Sequence, residues 1–207
     1  MTARAPLSGD QTALLRGHSA EVAPRLLGAT LTSRLDGTRV VLRITEVEAY
    51  GGVGEDPGSH AFRRMTRRNS TMFGPPGRAY VYFTYGMHWC LNVVTGPEGE
   101  AGAVLIRAGA IADGHTVARA RRGPRVVDRD LARGPARLAS ALGVTGAVDG
   151  TDLLARRSPL RLELPAEADV EYATGPRTGV SGEGASTPWR FHLPGESSVS
   201  LYRRASR

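Results

Sequence analysis

Two glutamates one residue apart stand in the run TEVEAY, Thr45 to Tyr50, and further along the chain reads YVYFTYGMHW, Tyr80 to Trp89. Carboxylates can act as general acids or bases and can stabilise developing positive charge, whereas aromatic rings offer flat faces to planar ligands. If TEVEAY is a strand, Glu46, Glu48 and Tyr50 project from one face while Thr45, Val47 and Ala49 face the core. A loop with four glycines and a proline, Gly51 to Ser59, follows directly. The carboxylates are therefore expected to line the mouth of a polar cleft. The bland alternative is two exposed carboxylates paired with nearby arginines.

Carboxylates that cleave glycosidic bonds as a pair flank the sugar from opposite sides. Residues two apart on one strand point the same way, which argues against a general carbohydrate hydrolase. One carboxylate activating water, with the other held in an ion pair, fits the spacing better. In the aromatic run, Tyr80 and Tyr82 share one face and Val81, Phe83 and Tyr85 the other, with Gly86 and Met87 as the turn of a tight hairpin. Tyr85, Met87 and His88 crowd its tip. Either the tip folds back into the core, or it meets a partner such as stacked bases, which apolar wedges can pry apart.

Composition narrows the chemistry. All 27 basic residues are arginine, and with 20 acidic ones they give a formal charge of +7. That excess suits a polyanionic partner, and it serves equally well to keep a protein soluble. The absence of lysine excludes a lysine Schiff base, a lysine general base and a GK[ST] phosphate loop. One cysteine, Cys90, and five scattered histidines provide no metal-ligand spacing, so neither a metal nor another cofactor is expected. No stretch is long and apolar enough to enter a membrane, which points to a cytoplasmic bacterial protein.

The elements that must position these residues are those of an α+β fold. The expected architecture is a single domain with a curved, largely antiparallel β-sheet, surrounding helices and a protruding β-hairpin. Residues 1–17 read as a loosely held arm and 18–207 as one domain. A short helix should run from Ser19 to about Gly28, and TRVVLRITEVEAY reads as a strand. GAVLIRAGAI reads as a buried strand ending at Arg107. TVARARRGPRVVDRD mixes helical pattern with a break and could be mobile. GPARLASALG is a helix with Gly134 as N-cap, Pro135 at its first position and Gly143 as its stop. Short strands are expected near Leu160 to Leu164 and Trp189 to Leu193. AFRRMTRRN, after His60, is a basic patch.

Taken together, the residues resemble the alkyladenine, or methylpurine, DNA glycosylases. The matching segments are EVEAY at Glu46 to Tyr50, His60, TRRN at Thr66 to Asn69, MFGPPG at Met72 to Gly77, YVYFTYGMHWCLNV at Tyr80 to Val93 and LIRA at Leu105 to Ala108. GPARLASALG at Gly134 to Gly143 and GPRTGV at Gly175 to Val180 match more weakly. The resemblance implies a base-excision enzyme that hydrolyses the N-glycosidic bond of alkylated or deaminated purines in double-stranded DNA. In such an enzyme Glu48 is the general base and Arg107 helps hold the water. Tyr50, His60 and Tyr82 sandwich the flipped base, and Asn92 crowds the exocyclic amine of normal guanine. Tyr85 intercalates, with Met87, His88, Arg67 and Arg68 also on the DNA. The resemblance implies a monomer that leaves an abasic site. A noncatalytic module that kinks damaged DNA with the same hairpin is the alternative. Arg63, Arg64 and Met65 stand where the family pattern has glycines, which bears on the substrate range.

Overall fold

A computed structural model describes residues 8–165 and 170–205. Its centre is the strand β2, Val40–Tyr50, which is rich in β-branched residues and in which every side chain but those of Arg43 and Tyr50 is buried. On one side β2 pairs from Val41 to Tyr50 with β5, Ala103–Asp113. On the other it is covered in two halves, first by β1, Thr30–Ser33, against Val40 to Arg43. The second half, Glu46 to Glu48, is covered by β8, Arg190–His192, which pairs in turn with β7, Ala173–Gly175. The hairpin strands β3, Ala79–Thr84, and β4, His88–Val94, add to the free side of β5, and β6, Leu160–Glu163, adds to β1. The order β3-β4-β5-β2-β1-β6 is antiparallel at every pairing, and the sheet curls into a half-barrel. Register shifts on either side of Glu46 break the regular pairing of β2 with β5, the kind of irregularity that bends a strand and re-aims side chains.

Alternation sorts the two faces of this sheet. Val47, Ala49, Val81, Leu91, Val93, Val104 and Ile106 enter the main apolar core. Covering them are α2, Ser19–Val22, with the 3-10 turn Ala23–Leu26 that continues it, and α4, Pro135–Leu142. The α4 boundaries follow the local chemistry expected: Pro135 sits at the first turn after Gly134, and Gly143 ends the helix in the left-handed region at φ 72°. An alanine there would also press its Cβ to 2.7 Å from the Arg121 guanidinium.

Three expectations need adjustment. The described part of the presumed arm, from Ser8, is the helix α1, Ser8–Leu14, and Leu15 behind it is fully buried. Arg107 does not end its strand but lies in the middle of β5. The arginine-rich stretch after it forms α3, His115–Arg122, tied down where Arg121 donates to Thr38 Oγ1 and the Ala141 carbonyl and Arg122 to the Leu131 carbonyl. Among the described residues no helix is long and apolar enough to cross a membrane.

Candidate active site

The face of the sheet opposite the main core carries the polar and aromatic residues. One rung runs from Tyr80 on β3 to Asn92 on β4, Leu105 on β5, Glu48 on β2 and Arg190 on β8. Side chains two residues away, Tyr82, Cys90, Arg107 and Tyr50, repeat on that face. With Tyr80, Asn92, Leu105 and Glu48 they form the floor of a cavity of about 490 Å³. Loop residues Pro57, Gly58, His60 and Thr178 to Ser181 also line it, as do Tyr85, His88, Pro135 and Ala136. Eight residues singled out in the sequence thus line one cavity: Glu48, Tyr50, His60, Tyr82, Tyr85, His88, Asn92 and Arg107. Met87, Arg67 and Arg68 are exposed outside it, Met87 at the hairpin tip and Arg68 over the Tyr82 ring at 5.8 Å.

The two carboxylates lie deeper than expected. Both are fully buried, so they are not at the mouth of the cleft and not surface partners of arginine. Glu46 is held behind the floor by Arg107 Nε at 3.0 Å, Arg190 Nε at 2.5 Å, and the Ser200 amide at 2.7 Å. Glu48 reaches the cavity. Its Oε1 accepts from the Thr178 amide at 2.7 Å, and its Oε2 from the Tyr50 hydroxyl at 3.0 Å and Arg107 Nη1 at 3.4 Å. Burial raises the Glu48 pKa; Arg107, the Thr178 amide and Tyr50 oppose this without cancelling it. Arg107 favours the ionised carboxylate, but desolvation is the larger effect. Tyr50 is itself held neutral by burial and by the carboxylate it donates to.

The aromatic walls are fixed by polar contacts at their edges. His60 Nδ1 lies 2.9 Å from the Tyr80 hydroxyl, and its ring stands edge-on to Tyr82 at 4.6 Å. Loss of hydration, with Arg68 nearby, lowers the His60 pKa and keeps the imidazole neutral. Asn92 anchors its amide by donating to the Tyr80 carbonyl at 2.9 Å. Asn69 donates to the carbonyls of His60 and Arg64, fastening the basic segment beside the cavity. Arg63 and Arg64 border a separate hollow next to His60.

At the rim the hairpin projects its tip. Tyr85 is 84% exposed and Met87 66%, so the tip does not fold back into the core. The Met87 amide donates to the Thr84 carbonyl, and both Tyr85 and Gly86 adopt positive φ, the conformation of a primed hairpin turn. For a tyrosine this is strained. Trp89 packs on Phe83 at 4.7 Å and against Gly146, where a Cβ would come within 2.7 Å of the indole, so the base of the hairpin is braced.

Sequence reasoning missed the groups behind the site. Arg177, 1% exposed, forks onto Asp56 at 2.5 and 2.7 Å, donates to the Ala49 carbonyl, and lies over the rings of Tyr50 and Trp189. Asp56 also accepts from the Gly51 and Gly58 amides, which ties the glycine loop to the sheet. Burial opposes ionisation of Asp56, yet Arg177 and the two amides outweigh it and lower the pKa. The one local signal for Arg177 is the run GPRTGV; its partner is 121 residues away.

The profile of the family described as Methylpurine-DNA glycosylase (MPG) matches residues 13–197. A protein of Leifsonia xyli subsp. xyli is 60% identical over 192 residues, covering 90% of this chain and 89% of its own. One of Streptomyces avermitilis is 52% identical over 201 residues, covering 94% and 93%, and one of Nocardia farcinica 53% over 191 residues, covering 89% and 87%. Each bears the name "Putative 3-methyladenine DNA glycosylase". These matches define the class, a DNA-repair hydrolase acting on N-glycosyl bonds. The chain belongs to the methylpurine-DNA glycosylase family.

Proposed function

We propose that this protein is a monofunctional glycosylase that excises alkylated or deaminated purines rotated out of duplex DNA, leaves an abasic site, and works as a cytoplasmic monomer. The observation that carries the reading is the coordination of Glu48 at the floor of the cavity. A carboxylate offers about four acceptor positions, and three donors hold this one. The remaining position receives a proton from water, which attacks the sugar's anomeric carbon as the carbon–nitrogen bond breaks and its electrons leave with the purine. The carboxylate also stabilises the oxocarbenium-like sugar. Arg107 holds the water beside it.

Everting the nucleotide is necessary because the glycosidic carbon is unreachable inside the stacked duplex. The cavity lies within the range of about 300–1,000 Å³ usual for small ligands. Tyr50, His60 and Tyr82 sandwich the base. A neutral His60 does not repel a cationic alkylpurine, and the aromatic faces attract one; for neutral purines the His60 amide donates to the leaving base. Asn92 crowds the exocyclic amine of guanine. Tyr85 fills the gap in the stack, and Met87, His88, Arg67 and Arg68 grip the DNA around it. The relatives' name favours 3-methyladenine among substrates, and the absence of lysine favours simple hydrolysis over strand cleavage through a lysine Schiff base.

The test is base release from duplexes carrying one 3-methyladenine, 7-methylguanine, hypoxanthine or ethenoadenine each. Release with the strand left intact supports the reading. Binding to all four without release from any would leave the noncatalytic DNA-kinking module in its place.

A further inference from the structure

The C-terminal segment is stitched to the site at both ends of its course. Ser200 donates its amide to Glu46, its Oγ accepts from Arg107 Nε at 3.1 Å, and its carbonyl accepts from Arg190 at 2.9 Å. Three residues later the Arg203 carbonyl accepts from the Gly179 amide at 3.1 Å. Gly179 lies on the cavity wall, next to the Thr178 amide that holds Glu48. The backbone therefore runs from the buried ion cluster out to the cavity rim.

Its side chains face outward. Leu201 is 68% and Tyr202 44% exposed, and Arg203 and Arg204 are exposed beside them. Among the described residues neither of these two guanidiniums has an acidic partner. The family profile stops at residue 197, so this segment lies outside what the family match covers.

We propose that residues 200–204 form a strap on the DNA-binding face, with Arg203 and Arg204 contacting backbone phosphates next to the everted nucleotide. The occupant is duplex DNA because two cations with no acidic partner among the described residues stand on a segment bonded to the cavity wall at Gly179. The anchoring of Ser200 on Glu46 and Arg107 couples that grip to the floor of the site. This inference rests on the DNA-glycosylase reading above.

Each arginine–phosphate contact releases counterions and adds about 0.9 to the slope of log affinity against log salt. The measurement is binding of a duplex bearing one tetrahydrofuran abasic analogue, titrated across salt concentrations. The variants are Arg203→Ala/Arg204→Ala and, as a control, Arg156→Ala/Arg157→Ala, exposed arginines on the turn into β6 at the far edge of the sheet. The first pair is expected to flatten the slope by about 1 to 2 and to weaken binding roughly tenfold near 0.1 M salt; the control should retain the wild-type slope. Equal slopes for wild type and the Arg203/Arg204 variant would overturn the strap and leave the glycosylase reading intact, as would equal losses in the two variants. Failure of wild type to bind this duplex at all would sink both.

Discussion

At the scale of single residues, the determining feature is a carboxylate kept out of water yet met by three donors. Because burial raises the Glu48 pKa, the acid limb of kcat/KM for base release should fall above the ordinary carboxylate range of about 4. A pH–rate profile on hypoxanthine-containing duplex checks this, and a limb at or below that range would remove Glu48 as the titrating base. Glu48→Gln should abolish excision, with a loss of at least about a hundredfold, while lesion binding persists. The sign for stability runs the other way. A carboxyl whose folded pKa is raised disfavours folding once the pH passes its unfolded value, so the neutral amide should leave the Tm at pH 7 no lower than that of wild type. A large drop in Tm would mean instead that the charge holds the floor together.

Elements supply what residues cannot. The curl of the sheet and the irregular pairing around Glu46 let one strand send one carboxylate into an arginine cluster and the other into the cavity. The glycine loop is held against this strand by the Asp56–Arg177 pair. Removing the acid strands a buried guanidinium, so Asp56→Asn should cost about 3–5 kcal/mol near neutral pH. The Asp56 pKa is lowered in the folded protein, hence its stabilisation is complete above the unfolded value near 4 and is lost as the pH falls through the folded one. The gap between wild type and variant in urea denaturation should accordingly narrow below about pH 4. The hairpin poses a different balance. Tyr85 holds φ at 51°, a strain of order 1 kcal/mol, so Tyr85→Gly should be close to neutral in Tm even as it weakens capture of lesion-bearing duplex. Equal affinity of that variant and wild type for damaged duplex would rule out intercalation.

Across the whole molecule, charge and shape act together. An excess of arginine, with no lysine, gives the chain its +7, and DNA affinity should fall linearly on logarithmic axes as salt rises; a flat response would deny the phosphates their part. Much of the architecture was legible in local pattern. The period-two alternation of TEVEAY, the hairpin, and the GP…G signals bounding α4 are written within a few residues, because strand alternation and helix ends are short-range effects. The helix Ser8–Leu14 left no local signal, because what anchors it, burial of Leu15, comes from distant packing. Of the site, the residue types and their shared face could be read from the sequence. Depth could not. Whether Glu48 sits at a mouth or on a floor depends on β8 covering its strand from more than 140 residues away in the chain, and on Thr178, Asp56 with Arg177, and Ser200 converging behind it. The sequence by itself determined which groups were available and which way neighbours along a strand would point. Only the tertiary structure decided how dry each became and which cation it met, because desolvation and ion pairing depend on distance through space.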